Sequence, residues 1–310
     1  MIPFVGRGRR GTITTLTIES REARFLTARH GRVEAWGSVA LPEGAVEAGS
    51  IRDAEAAAPL LDDLFRRHRL DRRHVIVGVS VGGADGATAA AGGGEVVALG
   101  LALPRLEGEA LAEAMHDAAE RRLPVPVDSM YLHWQVLATG GPSMRVYVLG
   151  VPRGPVDAHV ALLRAARIRP YVMDLKALAV IRAARPPQAI VARVEHDYVD
   201  LGVVVDAIPV ALRTTRLRLG AGGAHARLDA LLDAAARLLE EYQGSHPQAP
   251  VAPDAPLLIS GQLLLDRDAA AYLARRGWRP VAPISSPLPF PQALPVDRYI
   301  VHMGLALKSV

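Results

Sequence analysis

A chain of 310 residues, half of them apolar, can build two domains with a large core. Its net charge of +4 is small and scattered, which excludes a nucleic-acid surface built on bulk charge. The absence of cysteine excludes disulfides, thiolate catalysis and Cys-ligated metals, and it fits a reducing compartment. No apolar run reaches the roughly 18–20 residues that a membrane span requires. Residues 1–11 are too short and interrupted for the apolar region of a signal peptide. Arg7, Arg9 and Arg10 read as a basic terminus, with contact to anionic lipid as the alternative. Lysine occurs only at Lys176 and Lys308, which reads as a genome-composition bias toward arginine.

Near-period-2 alternation with polar punctuation predicts strands over 13–18, 23–29 and 32–40. A loop over 41–53 ends at Asp53, a good N-cap, and a helix follows with Leu60, Leu61, Leu64, Phe65 and His68 on one face. A buried strand over 75–81 leads to a Gly/Ala-rich turn at 82–94. Strand 96–103, helix 107–122, strands 130–137 and 144–151, helix 155–167 and strand 168–173 then form an α/β unit of their own. Pro124 and Pro126 stop the helix at 122. After helix 175–184 the opening pattern returns, as strands 189–194, 199–205 and 210–217. Helix 227–242 carries Leu228, Leu231, Leu232, Ala235, Leu238, Leu239 and Tyr242 at helical spacing. Strand 257–260, helix 268–276, a proline-rich loop over 283–295 and a helix over 299–308 complete the chain. The repeated opening predicts a duplicated α/β architecture with a cleft between the halves.

Two segments, residues 14–27 and 190–205, look like one phosphate-gripping hairpin used twice. Each has an apolar strand, a polar turn and a second apolar strand. Several ordered segments resemble the PilM family, the actin-like cytoplasmic proteins of type IV pilus assembly. They include Leu41-Pro42-Glu43-Gly44 with Gly49-Ser50-Ile51-Arg52-Asp53, then Leu103-Pro104, Leu123-Pro124-Val125-Pro126 and Trp134-Gln135-Val136-Leu137. Val148-Leu149-Gly150-Val151-Pro152, Ile168-Arg169-Pro170, Val172-Met173-Asp174, Ile208-Pro209, Arg213-Thr214 and Gly304-Leu305-Ala306-Leu307 continue the match. The resemblance covers nearly the whole chain. It implies an actin-like fold of ribonuclease H-like duplicated halves with an α/β subdomain inserted in the first. The implied division is 12–83 with 174–188 as the first subdomain, 84–173 as the insert and 189–310 as the second half.

The departures from the family pattern fall on the nucleotide contacts. In working actin-like ATPases an Asp at each hairpin positions Mg²⁺, and a nearby Gly lets backbone N–H groups approach the phosphates. Here Thr17 and Glu19 take those positions in the first hairpin, and Arg193 and Glu195 in the second. A carboxylate ~4 Å from a phosphate oxygen costs about 4 kcal/mol at an effective dielectric of about 20, roughly a thousandfold in affinity. Arg24 stands where the family carries Lys. Arg193 cannot coordinate Mg²⁺ and is expected to pair with a neighbouring carboxylate, although it could hold a phosphate. The family's Gly-Gly nucleotide loop is reduced to Ser260-Gly261-Gln262-Leu263. The expectation is therefore a protein without cofactor or metal that does not hydrolyse ATP, with a residual ATP-binding actin-like ATPase as the alternative. What the resemblance implies instead is a scaffold beneath the inner membrane. It grips the cytoplasmic tail of a single-span PilN-like partner in a groove between 12–82 and 95–173. The cytoplasmic domain of the general secretion L-type protein is a second resemblance; that family continues into a membrane span, and none is expected here.

Three rival patterns remain. Gly78-Val79-Ser80-Val81-Gly82 is a literal nucleophile-elbow motif, but Gly82, Gly83 and Gly86 oppose the required helix, and the preferred reading is a serine in a buried strand. His196, Asp197 and Asp200, or His225 and Asp229, could be drawn as metal ligands but read as solvated turn residues. Gly220–Gly223 reads as a hinge, with phosphate binding as the alternative.

Overall fold

A computed structural model describes residues 11–82, 95–123, 125–140, 143–217, 223–262, 268–276 and 279–308. The chain opens with an antiparallel meander of β1 (Thr12–Ile18), β2 (Glu22–Arg29) and β3 (Arg32–Ala40). His30 and Gly31, both at positive φ, make the two-residue turn between β2 and β3. Where the sequence predicts a loop over 41–53, the structure adds a small hairpin of β4 (Val46–Glu47) and β5 (Ser50–Ile51). Two-residue strands are too short to leave a periodic signal. Helix α1 (Ala54–Arg67) follows, and the Asp53 carboxylate accepts a hydrogen bond from the Ala56 N–H at 2.9 Å, as a helix N-cap should.

Strand β6 (Val75–Val79) is wholly buried and lies parallel to β1. An inserted layer comes next, with β7 (Val97–Pro104), α2 (Gly108–Arg122), a 3-10 turn at Val127–Ser129, β8 (Met130–Gly140) and β9 (Ser143–Pro152). Its antiparallel sheet has the order β7-β9-β8. Helix α2 covers one face, packing Met115 and Ala118 against Leu101, Met144, Val146 and Val148. Helix α3 (Arg153–Ala165) packs on α1, and β10 (Pro170–Leu175) pairs with β6 rather than with the inserted sheet. The apolar pattern of β10 is the same whichever sheet receives it, so its membership is a tertiary choice that local sequence does not carry.

Helix α4 (Lys176–Ala184) leads into the second half. There β11 (Ala189–Val194), β12 (Tyr198–Val205) and β13 (Ile208–Arg216) repeat the meander. Helix α5 (Gly223–Ser245), β14 (Leu257–Gly261), α6 (Ala269–Arg276) and β15 (Val281–Pro283) complete that layer. The two principal sheets have matching orders, β10-β6-β1-β2-β3 and β15-β14-β11-β12-β13. In each, the meander is antiparallel and the two added strands run parallel. The predicted duplication is therefore present in the strand connections themselves.

The last helix, α7 (Val296–Ala306), returns to the first half. Tyr299, Ile300, Val301, Met303 and Leu305 join the cluster built on Leu16, Leu26 and Val77. Gly304 permits this, because a Cβ there would stand 1.8 Å from the Ala179 carbonyl oxygen of α4. The core of the second half is separate and is built on Ile190, Leu201, Leu231, Leu238 and Ile259. No helix among the described residues is long and apolar enough to cross a membrane.

Candidate functional site

The site lies where the β1–β2 and β11–β12 turns meet. Strand register makes the two hairpins equivalent residue by residue. Thr17 pairs with Arg24 across its hairpin and with Gly78 on the parallel neighbour; Arg193 pairs with Asp200 and with Ser260. Thr17 thus corresponds to Arg193, Glu19 to Glu195, Arg24 to Asp200 and Ser80 to Gln262. Both turns close in the same way. The Glu19 N–H donates to the Glu22 carbonyl at 2.8 Å, and the Glu195 N–H to the Tyr198 carbonyl at 2.9 Å.

Between the equivalent turns runs a reciprocal exchange of charge. Arg24 of the first hairpin donates a two-pronged bond to Glu195 of the second, at 3.0 and 2.9 Å. Arg193 of the second hairpin donates to Glu19 of the first at 2.8 Å. Arg193 also binds Glu195 at 2.8 Å and Asp200 at 2.9 Å. The equivalent positions beyond the parallel strands join in: Ser80 donates to Asp200 at 3.0 Å, and Arg24 donates to the Gln262 amide oxygen at 2.9 Å. Below the pair, Lys176 donates to Glu19 at 2.9 Å, to the Ile18 carbonyl at 2.9 Å and to the Tyr198 hydroxyl at 3.1 Å. Tyr198 in turn donates to Glu19. At the rim, Ser20 donates to Asp197 at 2.6 Å, and the Ala48 N–H donates to the same carboxylate at 2.9 Å. Ala48 and Gly49 are the positive-φ turn between β4 and β5, so this small hairpin is tied across the cleft.

All of Glu19, Arg24, Lys176, Arg193, Glu195 and Asp200 are buried. Burial alone would push the Glu19 carboxyl up, but Arg193, Lys176 and Arg24 outweigh it and hold it well below its ordinary value. Burial opposes the charged form of Arg193 too, and Glu19 and Glu195 more than restore it. For Lys176 burial wins, and Glu19 offsets only part of the downward shift. Breaking such a buried pair on one side costs about 3–5 kcal/mol, because the remaining charge is stranded.

Thr17 is also committed. Its hydroxyl is 3.2 Å from His302 Nε2, and Thr15 is 2.9 Å from His302 Nδ1. His302 lies wholly buried on α7; burial and then Arg24 push it well below the ordinary imidazole value, so it is neutral. Gly261 has φ +107°, and a Cβ there would come 2.2 Å from the Val194 carbonyl oxygen. That glycine is fixed by the close approach of β14 to β11.

The structure therefore gathers Glu19, Arg24, Arg193, Glu195 and Gln262 into one network, with Thr17 and Gly261 at its edge. Sequence reasoning takes Asp200, buried on β12, for a solvated turn residue, and it misses Lys176, Tyr198 and His302 as members of this network. Their contacts with the first hairpin cross up to 287 residues of chain, as for His302 with Thr15. One signal was present: Lys176 is one of only two lysines, and it sits at the centre of the network rather than on a solvated surface. Ser80 has no hydrogen bond to a histidine among the described residues, and Gly78 is fixed by packing, a Cβ there standing 3.1 Å from Lys176 and 3.2 Å from Thr17. Asp197 and Asp200 are engaged as described. His225 stacks on Tyr272 with ring centroids 4.2 Å apart, and Asp229 accepts from Tyr272 at 3.0 Å. No group of three or more His, Asp or Glu able to hold a metal occurs among the described residues. Residues 83–94 and 220–222, read from sequence as a turn and a hinge, lie outside the described residues, as do Leu263 and the arginines of residues 1–10.

The model of the family described as type IV pilus assembly protein PilM matches residues 13–219. The chain belongs to the PilM family of type IV pilus assembly proteins. No curated protein matches it by sequence. Among solved structures, a chain of the PilM-PilN type IV pilus biogenesis complex is similar with a TM-score of 0.69 at 18% identity, over 97% of this chain and 99% of that one. The ethanolamine utilization protein EutJ of Carboxydothermus hydrogenoformans is similar with a TM-score of 0.52 at 9% identity, over 99% and 93%. AlfA of a B. subtilis plasmid, solved as a filament, gives 0.50 at 9%, over 96% and 99%. These likenesses carry the fold, and the PilM chain is actin-like as its sequence resemblance implies.

Proposed function

We infer that this PilM-family chain works as a scaffold of type IV pilus assembly and does not bind or hydrolyse ATP. The observation that carries the reading is the reciprocal pairing of Arg24 with Glu195 and of Arg193 with Glu19. A nucleotide between the two turns would find Arg24, Lys176 and Arg193 already bound to carboxylates. It would find the Glu19 and Glu195 amides donating within their own hairpins. It would also bring its phosphates against two buried carboxylates, each approach costing about 4 kcal/mol at an effective dielectric of about 20. No cofactor or metal is needed for the arrangement to be electrostatically complete.

Family membership and the likeness to the PilM-PilN complex support a PilN-type partner. In this reading the cytoplasmic N-terminal tail of a single-span PilN-like protein lies extended in the groove between residues 12–82 and 95–173. Main-chain hydrogen bonds supply affinity there, and side-chain pockets supply selectivity. The chain is then a peripheral protein of the cytoplasmic face of the plasma membrane, held there through this partner and touching other platform proteins. The working units are residues 12–83 with 174–188, the insert 84–173 and the second half 189–310. Strand β10 and helix α7, which those bounds leave in the insert and in the second half, pack with the first unit instead.

Calorimetric titration of the full chain with the tail peptide of the single-span protein encoded beside it tests the scaffold role. Micromolar binding is the expected result. Absence of binding at high micromolar peptide would sink the scaffold reading.

A further inference from the structure

We propose that one end of the β10-β6-β1-β2-β3 sheet, where β1, β6 and β10 begin, docks directly on an anionic lipid surface through exposed arginines flanked by two aromatic rings. This contact is independent of the PilN-type tail and adds to it.

Strand register makes this end of the sheet flush. Thr12 pairs with Arg29 and Arg29 with Arg32, while Thr14 pairs with Val75 and Val75 with Pro170. Five neighbouring strands therefore end within about two residues of one another, roughly 7 Å along the strand axis, over a width of about 20 Å. Helices α1 and α3 bring their last turns to the same end, because α1 leads into β6 and α3 into β10. The two connections are locked together. The Arg169 N–H donates to the Arg72 carbonyl, and the Arg72 guanidinium donates to the Ala166 carbonyl, both at 2.8 Å. The cleft with its charge network lies at the other end of these strands, beyond Ile18.

The fold sorts a small net charge onto this end. Arg29 and Arg32 flank the β2–β3 turn, and Arg69 and Arg73 lie between α1 and β6. Arg164, Arg167 and Arg169 run from the last turn of α3 to the start of β10. All of these arginines are exposed, and none forms an ion pair among the described residues. The carboxylates of the same loops are taken by other groups. Asp63 holds Arg66 and Arg67, Asp62 holds Arg72 at 2.8 Å, and Asp71 holds His74 at 2.7 Å. Only Glu34 of β3 is left to oppose the array. Guanidinium groups suit phosphates, which they bind in two-pronged fashion.

Two exposed rings select lipid as the source of those phosphates. Tyr171, 46% exposed, is on edge strand β10, its ring centroid 6.2 Å from that of His74. Phe290, 37% exposed, stands beside the opposite edge, since the Val33 N–H of β3 donates to the Pro289 carbonyl at 3.0 Å. Rings at the margins of a flat basic array enter the headgroup layer while the arginines meet the phosphates. A single-stranded nucleic acid would need rings interleaved with the charges for base stacking, and a duplex would need an element that enters a groove. Here the rings stand at opposite edges of a five-stranded sheet, and the arginines lie on short connections.

Co-sedimentation of the full chain with vesicles of phosphatidylcholine carrying about one-third phosphatidylglycerol tests this at low salt, where each arginine near the surface contributes about fivefold to the partition. Binding to these vesicles is expected, and none to pure phosphatidylcholine. The triple variant Arg69→Asn, Arg167→Asn, Arg169→Gln is expected to bind at least about tenfold more weakly. Asparagine suits positions 69 and 167 because their φ angles are 51° and 58°. Removing the same charge from exposed arginines of the insert, as Arg105→Gln, Arg121→Gln and Arg122→Gln, is expected to leave binding unchanged. Phe290→Ser is expected to weaken it without altering its salt dependence. Circular dichroism checks that the variants are folded. No sedimentation with the anionic vesicles, or equal weakening by the two triple variants, would overturn the proposal. Tighter binding to duplex DNA than to the vesicles would overturn it too, and would give the face to nucleic acid. The assay contains no tail peptide, so its failure is distinct from failure of the tail titration.

Discussion

The two hairpins have one backbone and opposite chemistry. They share their register and the same turn closure from Glu to the residue three positions on. Yet the residue that follows each turn is Arg24 in one and Asp200 in the other, and the residue before it is Thr17 in one and Arg193 in the other. A duplicated element has diverged into complementary halves, so that each hairpin's arginine binds the other's turn glutamate. The comparison teaches that two equivalent turns facing each other can satisfy one another when their equivalent positions take opposite charge.

The largest effect should come from the residue that serves three carboxylates. Arg193→Ala removes one charge partner from each of Glu19, Glu195 and Asp200 at once, and is expected to cost about 3–5 kcal/mol in denaturant unfolding. Arg24→Ala should cost less, because Glu195 keeps Arg193, and the double variant should be non-additive through that shared carboxylate. Equal and additive costs would break the reciprocal picture. As a control, Arg52→Ala at an exposed pair with Glu47 should change stability by less than about 1 kcal/mol.

Acid should loosen the first half before it reaches the carboxylates. His159 is buried, and burial lowers it from 6.5 to about 4. His302 is lowered in the same direction, first by burial. Between those values the unfolded chain takes up protons that the folded chain refuses, so stability falls as pH drops below 6.5. For His159 the loss integrates to about 3 kcal/mol by about pH 4. Glu19, whose folded value lies below the ordinary carboxylate range, contributes stability that is present above that range and lost as pH falls through the lower folded value. A stability that stays flat from pH 7 to 5 would contradict neutral burial of the two histidines. Within the network the smallest effect is expected of Ser80→Ala, about 1 kcal/mol, because Asp200 keeps Arg193 and Thr214.

Much of the fold is legible in the sequence because both meanders are short apolar runs broken by polar turns and α5 carries an uninterrupted apolar stripe. The ends of the insert are less so, since β10 and α7 are assigned by distant packing. Residues 19, 24, 193, 195 and 262 were visible as misfits against a known hairpin pattern. That Arg193 would find a neighbouring carboxylate was visible too, but the pairing between the halves was not, because nothing local states that Arg24 meets Glu195 across 171 residues. Tyr198 and His302 look like ordinary residues of a strand and a helix until the halves close, and the rarity of lysine is the one sign that marks Lys176. The basic end of the first sheet was not legible either, because its arginines come from three connections that only the strand register brings together.

The central claim is that the cleft is filled by its own charges. Thermal unfolding of the full chain with and without millimolar Mg-ATP tests it most directly, since a ligand that binds only the folded state raises its stability by RT ln(1 + [L]/Kd). No shift in Tm, with no heat in a parallel titration, is the predicted result. A rise in Tm that saturates with nucleotide, lost on removal of magnesium, would contradict the account.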